Sequence, residues 1–211
     1  MRRFFVAASA VVLAACGGGS GPSLPGQGPA SAQSVAASDS DFSGLHRCPE
    51  SGSYDSYLKA EQAKDPSSYQ SDTSTWNDLK KAGANDSYIA VYAESNADCG
   101  QFNSTSPSGK LAYVFAIRFK DSTAASASFK NQSKDFHLDD AQLAQIKGFG
   151  GTVQQGSATG LGDNSVNVSF ALQGVTFYIA FWQNKQFEVA MIEYNVSGGA
   201  AESQKINGRI H

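Results

Sequence analysis

Ser56 and Lys59 are the residues whose types and spacing come closest to a catalytic motif. They lie in the segment Ser56-Tyr57-Leu58-Lys59, which fits the pattern Ser-x-x-Lys. A lysine one helical turn after a serine can accept the proton of the serine hydroxyl and so activate it as a nucleophile. The Ser-Asp-Asn and Lys-Thr-Gly motifs that accompany this pattern in penicillin-binding enzymes do not occur in the sequence, and neither does Gly-x-Ser-x-Gly. We therefore predict no catalytic residue, with a hydrolase of unrecognised site as the alternative.

Two further groups of residues have types that occur in metal or phosphate sites. His137 with Asp139 and Asp140 offers nitrogen and oxygen ligands, but aspartates at the start of a helix also interact favourably with its dipole. The glycines of segment 156–162 precede a strand pattern, whereas a phosphate-binding loop opens a helix. Helix capping and tight turns explain both groups, so we predict no metal ion and no cofactor.

The first sixteen residues have the order of an export signal. Arg2 and Arg3 precede a mostly apolar run from Phe4 to Ala15, which is too short to span a hydrocarbon core of about 30 Å. The run closes on Leu13-Ala14-Ala15-Cys16, which resembles the lipobox of bacterial lipoprotein signal peptides. The resemblance implies cleavage before Cys16, diacylglycerol on its sulfur and acylation of the new amino group. The protein would then be anchored to the cell membrane on its extracytoplasmic side.

Two alternatives remain for this segment. An ordinary secretory peptide with an incidental cysteine would also carry a basic start and an apolar run. The stretch Arg2-Arg3-Phe4-Phe5-Val6 also resembles the core of a twin-arginine export signal. Both export routes lead out of the cytoplasm.

Charge and cysteine count narrow the partners and the compartment. Removing residues 1–15 lowers Lys plus Arg from 16 to 14 against 19 acids, which leaves a formal charge of −5 and predicts no nucleic-acid partner. With Cys16 assigned to the lipid, Cys48 and Cys99 remain, and a pair of cysteines in an exported protein predicts a disulfide. The alternative of two free thiols at a metal or redox site lacks a Cys-x-x-Cys spacing.

Composition divides the mature chain into two parts. Residues 16–41 are mainly Gly, Ser, Pro, Ala and Gln and have few large apolar side chains. Such a segment buries too little surface to offset its ordering entropy, so we predict a flexible tether that holds a folded domain away from the membrane. Residues 42–211 have the length of one domain.

The segment from Ser165 to Tyr194 organises this domain. Three runs alternate between apolar and other residues, and the short breaks at Gln173-Gly174 and Asn184-Lys185 predict a three-stranded antiparallel meander. One face is predicted to carry the most apolar residues: Val166, Val168, Phe170, Leu172, Val175, Phe177, Ile179, Phe181, Phe187, Val189 and Met191.

The remaining patterns place helices and strands around this meander. Helices are predicted over 53–64, from Ser74 or Thr75 to Gly83, over 121–134, over 139–147 and after Ser197, and strands over 87–94, 111–119 and 152–155. The order predicts an α+β fold with helices packed on an antiparallel sheet. That order and the phrase from Gly160 to Ser165 are similar to extracytoplasmic sensor-like domains of actinobacterial lipoproteins and to PsbP-like sheets, over residues 74–211. The resemblance implies a sensor-like or ligand-binding domain and assigns no functional residue.

The second face of the meander is the candidate ligand site. Tyr178 and Trp182 are predicted to share it with Ile192 and Tyr194, and an aromatic, partly polar face suits a small apolar ligand or a glycan. Alternatively, the last helix covers this face, or a partner protein of the envelope docks on it. We therefore expect a lipid-anchored, non-catalytic domain that binds a ligand or senses one.

Overall fold

The computed structural model describes residues 30–103, 109–132, 140–172 and 174–211. The helices in these ranges are α1 (Ala32–Ala36), α2 (Tyr54–Lys64), α3 (Pro66–Lys81), α4 (Asn96–Cys99), α5 (Ser122–Gln132), α6 (Asp140–Gly148) and α7 (Gly199–Asn207). The strands are β1 (His46–Arg47), β2 (Ala84–Ala93), β3 (Leu111–Phe119), β4 (Thr152–Gln155), β5 (Ser165–Leu172), β6 (Val175–Asn184) and β7 (Phe187–Tyr194).

All seven of these strands form one antiparallel sheet in the order β1-β2-β3-β7-β6-β5-β4. The neighbours β5, β6 and β7 are the predicted C-terminal meander, and helices pack on the sheet, so the predicted α+β class is confirmed. β3 pairs with both β2 and β7 along almost its whole length and is therefore central.

The sheet has two faces, each with its own apolar cluster. The α7 face carries Tyr178, Trp182, Val189 and Met191, and α1 and α7 pack on it. The α2 face carries Phe115, Ile117, Phe181 and Ile179, and α2, α3 and α5 pack on it. The core therefore has two layers, one on each face of the sheet.

The prediction for residues 30–41 is wrong, because they belong to the folded domain. Ala32, Val35 and Ala36 have no exposed surface and pack on the sheet in the cluster that includes Ala90, Ala112 and Ala116. A short helix with small side chains can approach a sheet face of alanines closely, so this segment is buried despite its lack of large apolar residues.

The same N-terminal segment is tied to the end of the chain. Asp41, whose side chain has 0% exposure, accepts two hydrogen bonds from Arg209, at 2.5 Å and 2.9 Å. Arg209 also donates to the backbone oxygen of Val35. A charge-assisted, bidentate pair of this kind fixes geometry well, so the folded domain includes residues 30–41 and does not start at residue 42.

Two helix starts differ from the sequence prediction. α3 begins at Pro66, eight residues before Ser74, because proline suits the first helical position and the Asp65 carboxylate accepts from the backbone N–H of Ser68 at 3.2 Å. α7 is capped by Gly198 in a left-handed conformation, with φ of 108°, and not by Ser197.

The predicted distribution of β7 side chains between the two faces is also wrong. β6 turns into β7 through Lys185 and Gln186, and the resulting register pairs Phe177 with Tyr194 and Tyr178 with Glu193. Odd-numbered residues of β6 therefore share a face with even-numbered residues of β7. As a result, Phe187, Val189 and Met191 lie on the α7 face, whereas Ile192 and Tyr194 lie on the α2 face beside Phe177 and Ile179.

Candidate functional site

The structure keeps the predicted ligand residues Tyr178 and Trp182 on one face but separates Tyr194 from them. Trp182 has 0% exposure in the cluster that includes Ile206 of α7, and the Tyr178 hydroxyl lies 3.0 Å from the Ser203 hydroxyl of the same helix. The last helix therefore covers this face, as the alternative interpretation of the sequence held. Tyr194 lies on the opposite face of the sheet.

An open apolar surface is found instead on the α2 face. We call it the apolar face, and its members lie on β4, β5, β6 and β7 and are all partly exposed: Val153, Val168, Phe170, Phe177, Ile179, Ile192 and Tyr194. Leu172 continues this surface to the β5–β6 hairpin and is 36% exposed. The helices of the α2 face thus leave the outer strands incompletely covered.

The apolar face consists of two rows that run across the strands. In the first row Phe170 pairs with Phe177 and Phe177 pairs with Tyr194. The Phe170 and Phe177 rings are stacked with centroids 4.8 Å apart, and the Phe177 and Tyr194 rings meet edge to face at 5.1 Å. The second row is made of Val153, Val168, Ile179 and Ile192. With neighbouring strands about 4.8 Å apart, each row spans on the order of 10–15 Å.

Helices form the two sides of this surface. Tyr57 of α2 packs against the cluster around Leu111 and Phe115 of β3 and so forms the side of the surface next to β3. Phe129 of α5 stacks on Phe181, with ring centroids 4.7 Å apart, and so closes the end of the meander near the β6–β7 turn. The floor is therefore rigid sheet and the sides are helical.

The electrostatics of the apolar face are those of a neutral surface. Among the residues that the structure describes, no charged side chain lies in the two rows or in their continuation through Leu111 and Tyr113 on β3. Glu188 is the nearest acid on this side of β7, and its carboxyl accepts from Gln132 at 2.9 Å. Burial raises the pKa of Glu188 to about 8, so this group is largely uncharged near neutral pH.

A second buried acid lies beneath α7 and was assigned no role from the sequence. Glu193 has 1% exposure, and neither of its carboxyl oxygens has a hydrogen-bond partner. Burial, with repulsion from Glu202 as the second cause, raises the pKa of Glu193 to about 8. Two acids within a central strand, Glu188 and Glu193, were a signal that sequence analysis could have used.

The predicted disulfide is confirmed. Cys48 and Cys99 are bonded with their Cα atoms 5.6 Å apart. Beside the bond lies a cavity of about 180 Å³, whose lining includes Glu50, Tyr57 and Glu61. Within the described ranges, one trio of potential metal ligands is close enough to share an ion, and it is Glu50 with these two disulfide sulfurs, which cannot act as thiolates.

The Ser-x-x-Lys segment lies in the first half of α2. The Ser56 hydroxyl lies 2.8 Å from that of Ser53, which caps α2, while Lys59 is exposed. Cys16, His137 and Asp139 lie outside the described residues, so lipidation and the metal alternative stay predictions.

Comparisons with known proteins assign no family. No protein-family model matches the chain, and no curated protein is significantly similar to it. Of the helices in the described ranges, none combines the length and apolar character needed to cross a membrane.

Proposed function

We propose that the protein is a lipid-anchored, non-catalytic component of the cell envelope whose apolar face binds the acyl chain of a membrane lipid. The observation that carries the proposal is the apolar face. Its seven side chains remain partly exposed on adjacent strands after the helices have packed. Exposed apolar surface that is contiguous rather than scattered is typical of binding sites.

An acyl chain fits this surface better than a glycan does. Glycan sites combine aromatic rings with polar side chains that satisfy the sugar hydroxyls, because buried hydroxyls without partners are costly. Among the described residues, the two rows offer the hydroxyl of Tyr194 and otherwise only hydrocarbon. A hydrocarbon chain needs no hydrogen-bond partner, so nothing on the chain would be left unsatisfied.

Lipid anchoring would make weak binding sufficient. Burial of one methylene contributes about 0.8 kcal/mol, so a chain of about fourteen carbons that is half covered gains roughly 5–6 kcal/mol, which corresponds to a dissociation constant on the order of 0.1 mM. Tethering through Cys16 holds the domain beside its ligand, and short flexible tethers give effective concentrations in the millimolar range. The Gly, Ser and Pro content of residues 17–29 suits such a tether.

The hydrolase alternative has less support. The buried carboxyl groups of Glu188 and Glu193 lie on opposite faces of the sheet, one beside α5 and the other beneath α7. They therefore cannot act on one substrate as a pair. The test below also distinguishes acyl binding from docking of a partner protein on the apolar face.

The test is a binding assay on the polypeptide from residue 16 onwards. It carries Cys16→Ser, because acyl chains attached to Cys16 would compete with the probe. The probe is 1-N-phenylnaphthylamine, whose fluorescence rises in apolar surroundings. Phe177→Lys is compared with Thr176→Lys, which places the same charge one residue earlier on the opposite, exposed side. We expect Phe177→Lys to weaken binding at least about tenfold and Thr176→Lys to leave it unchanged.

Circular dichroism and disulfide content of both variants serve as folding controls. Absence of probe binding to the folded parent chain, or equal binding by both lysine variants, would refute the acyl-binding proposal. Displacement of the probe by a protein of the envelope, but by no lipid, would refute it in favour of a docking surface.

A further inference from the structure

We propose that the hydroxyl groups of Tyr113 and Tyr194 bind the polar head of the ligand, and that the ligand is an uncharged acyl ester such as an acylglycerol. This inference rests on the acyl-binding function proposed above. It adds the chemical class of the head group and the residues that select it.

The position of the two hydroxyl groups at one end of the apolar face is the first argument. Tyr194 ends the aromatic row that starts at Phe170, and Tyr113 is the neighbour of Ile192 on the adjacent strand β3. The hydroxyls of Tyr113 and Tyr194 hydrogen-bond to each other, both residues are partly exposed, and the hydroxyl of Tyr113 is the more deeply buried of the two. An acyl chain that lies along the row from Phe170 would therefore reach these hydroxyl groups where β7 meets β3.

The protonation state of these hydroxyls is the second argument. Burial raises the pKa of Tyr113, and nearby Tyr194 and Tyr57 raise it further. Burial likewise raises the pKa of Tyr194. Both phenols therefore keep their protons at neutral pH. When one hydroxyl donates to the other, the second still has its own proton to donate to an acceptor on a ligand.

The uncharged surroundings of Tyr113 and Tyr194 on the described strands are the third argument. In the described part of the chain, no lysine or arginine lies in either row or beside Tyr113 and Tyr194 on β3 and β7. A carboxylate or phosphate held there would lose its hydration without gaining a counter-ion, which is unfavourable. An ester carbonyl is an uncharged acceptor that a phenol can satisfy. This selects neutral acyl esters over free fatty acids and phospholipids.

The experiment compares three ligands of equal chain length on the same Cys16→Ser chain. These are 1-decanoylglycerol, its ether analogue 1-O-decylglycerol, which lacks the carbonyl, and decanoate. Displacement of 1-N-phenylnaphthylamine gives the affinities. We expect the ester to bind about three- to tenfold more tightly than the ether, the range of one net hydrogen bond, and more tightly than decanoate at pH 7.5.

Tyrosine variants then separate head-group recognition from chain binding. Tyr194→Phe and Tyr113→Phe should abolish the preference of ester over ether while ether binding changes less than about twofold, because the rings remain. Tyr88→Phe, on β2 and the α7 face, is the matched control and should retain the preference. Phe177→Lys should weaken binding of the two uncharged ligands, 1-decanoylglycerol and 1-O-decylglycerol.

The two proposals fail in different ways. If decanoate binds as tightly as the ester, or if the ester preference survives in both Tyr113→Phe and Tyr194→Phe, the head-group inference is overturned and acyl binding stands. If none of the three ligands displaces the probe, both proposals are overturned.

Discussion

Replacing Glu193 with glutamine should change the pH dependence of stability. The carboxyl group has 1% exposure, has no hydrogen-bond partner, and is repelled by Glu202. The pKa of Glu193 is accordingly raised from 4.5 to about 8 in the folded protein. Glutamine has nearly the same shape as the protonated acid and cannot ionise, so Glu193→Gln preserves packing and removes the titration.

The sign follows from proton binding in the two states. Between pH 4.5 and 8 the folded protein retains the proton on Glu193, whereas the unfolded chain releases it. The stability that this proton provides is complete below pH 4.5 and is lost as the pH rises towards 8. At about 1.36 kcal/mol per pKa unit, the loss at pH 8 is about 3–5 kcal/mol. Glu188, whose pKa is also raised to about 8, contributes a loss in the same direction.

Urea unfolding at intervals from pH 5 to pH 8.5, followed by the fluorescence of buried Trp76 and Trp182, measures this effect. The native chain should lose stability across the range. Glu193→Gln should be close to native at pH 5 and more stable by about 3–5 kcal/mol at pH 8. Glu50→Gln, at an exposed position, is the control and should follow the native profile. A native stability that rises with pH, or a Glu193→Gln difference that is equal at pH 5 and pH 8, would show that the carboxyl is not held protonated.

Three further outcomes follow from burial, cross-linking and anchoring. In matched urea melts, Trp182→Ala should lower the free energy of unfolding by about 3–5 kcal/mol. Phe177→Ala should lower it clearly less, because Trp182 has 0% exposure and Phe177 is partly exposed. The reverse order would contradict the assignment of faces. Non-reducing mass mapping should find Cys48 joined to Cys99, and reduction should lower the free energy of unfolding by roughly 3–4 kcal/mol. Freely alkylated thiols in native protein would contradict this. Cys16→Ala should leave the protein in the soluble fraction or unprocessed, and normal processing with membrane retention would exclude the lipoprotein interpretation.

The sequence was sufficient for features that depend on local order. The meander of β5, β6 and β7 follows from a side-chain period of two and two short breaks, since each strand shows its pattern without reference to distant residues. The bond between Cys48 and Cys99 follows from the parity of the cysteines once the compartment is inferred. The α+β class follows from the order of such patterns along the chain.

The open apolar face was decided only by the tertiary structure. Sequence periodicity separates the two faces of β6 but does not state where the helices will lie. The face with Phe177 is the more apolar of the two, which suggested that it would also be the more buried. The structure places α7 over the face of β6 that carries Trp182 and leaves Phe177 partly exposed. The burial of Ala32 and Ala36 was equally hidden, because close packing of small side chains depends on a matching alanine surface that other segments supply.

The candidate site illustrates the same division. The sequence predicted a ligand site on the sheet face of Tyr178 and Trp182 and placed Tyr194 beside them, whereas the structure covers that face and has Tyr194 on the opposite one. The two-residue turn at Lys185 and Gln186 sets the register of β7, and that register moves Tyr194 beside Phe177. Local patterns therefore determined which segments are strands, whereas register and helix placement, which arise from contacts between distant segments, decided which surface remains open.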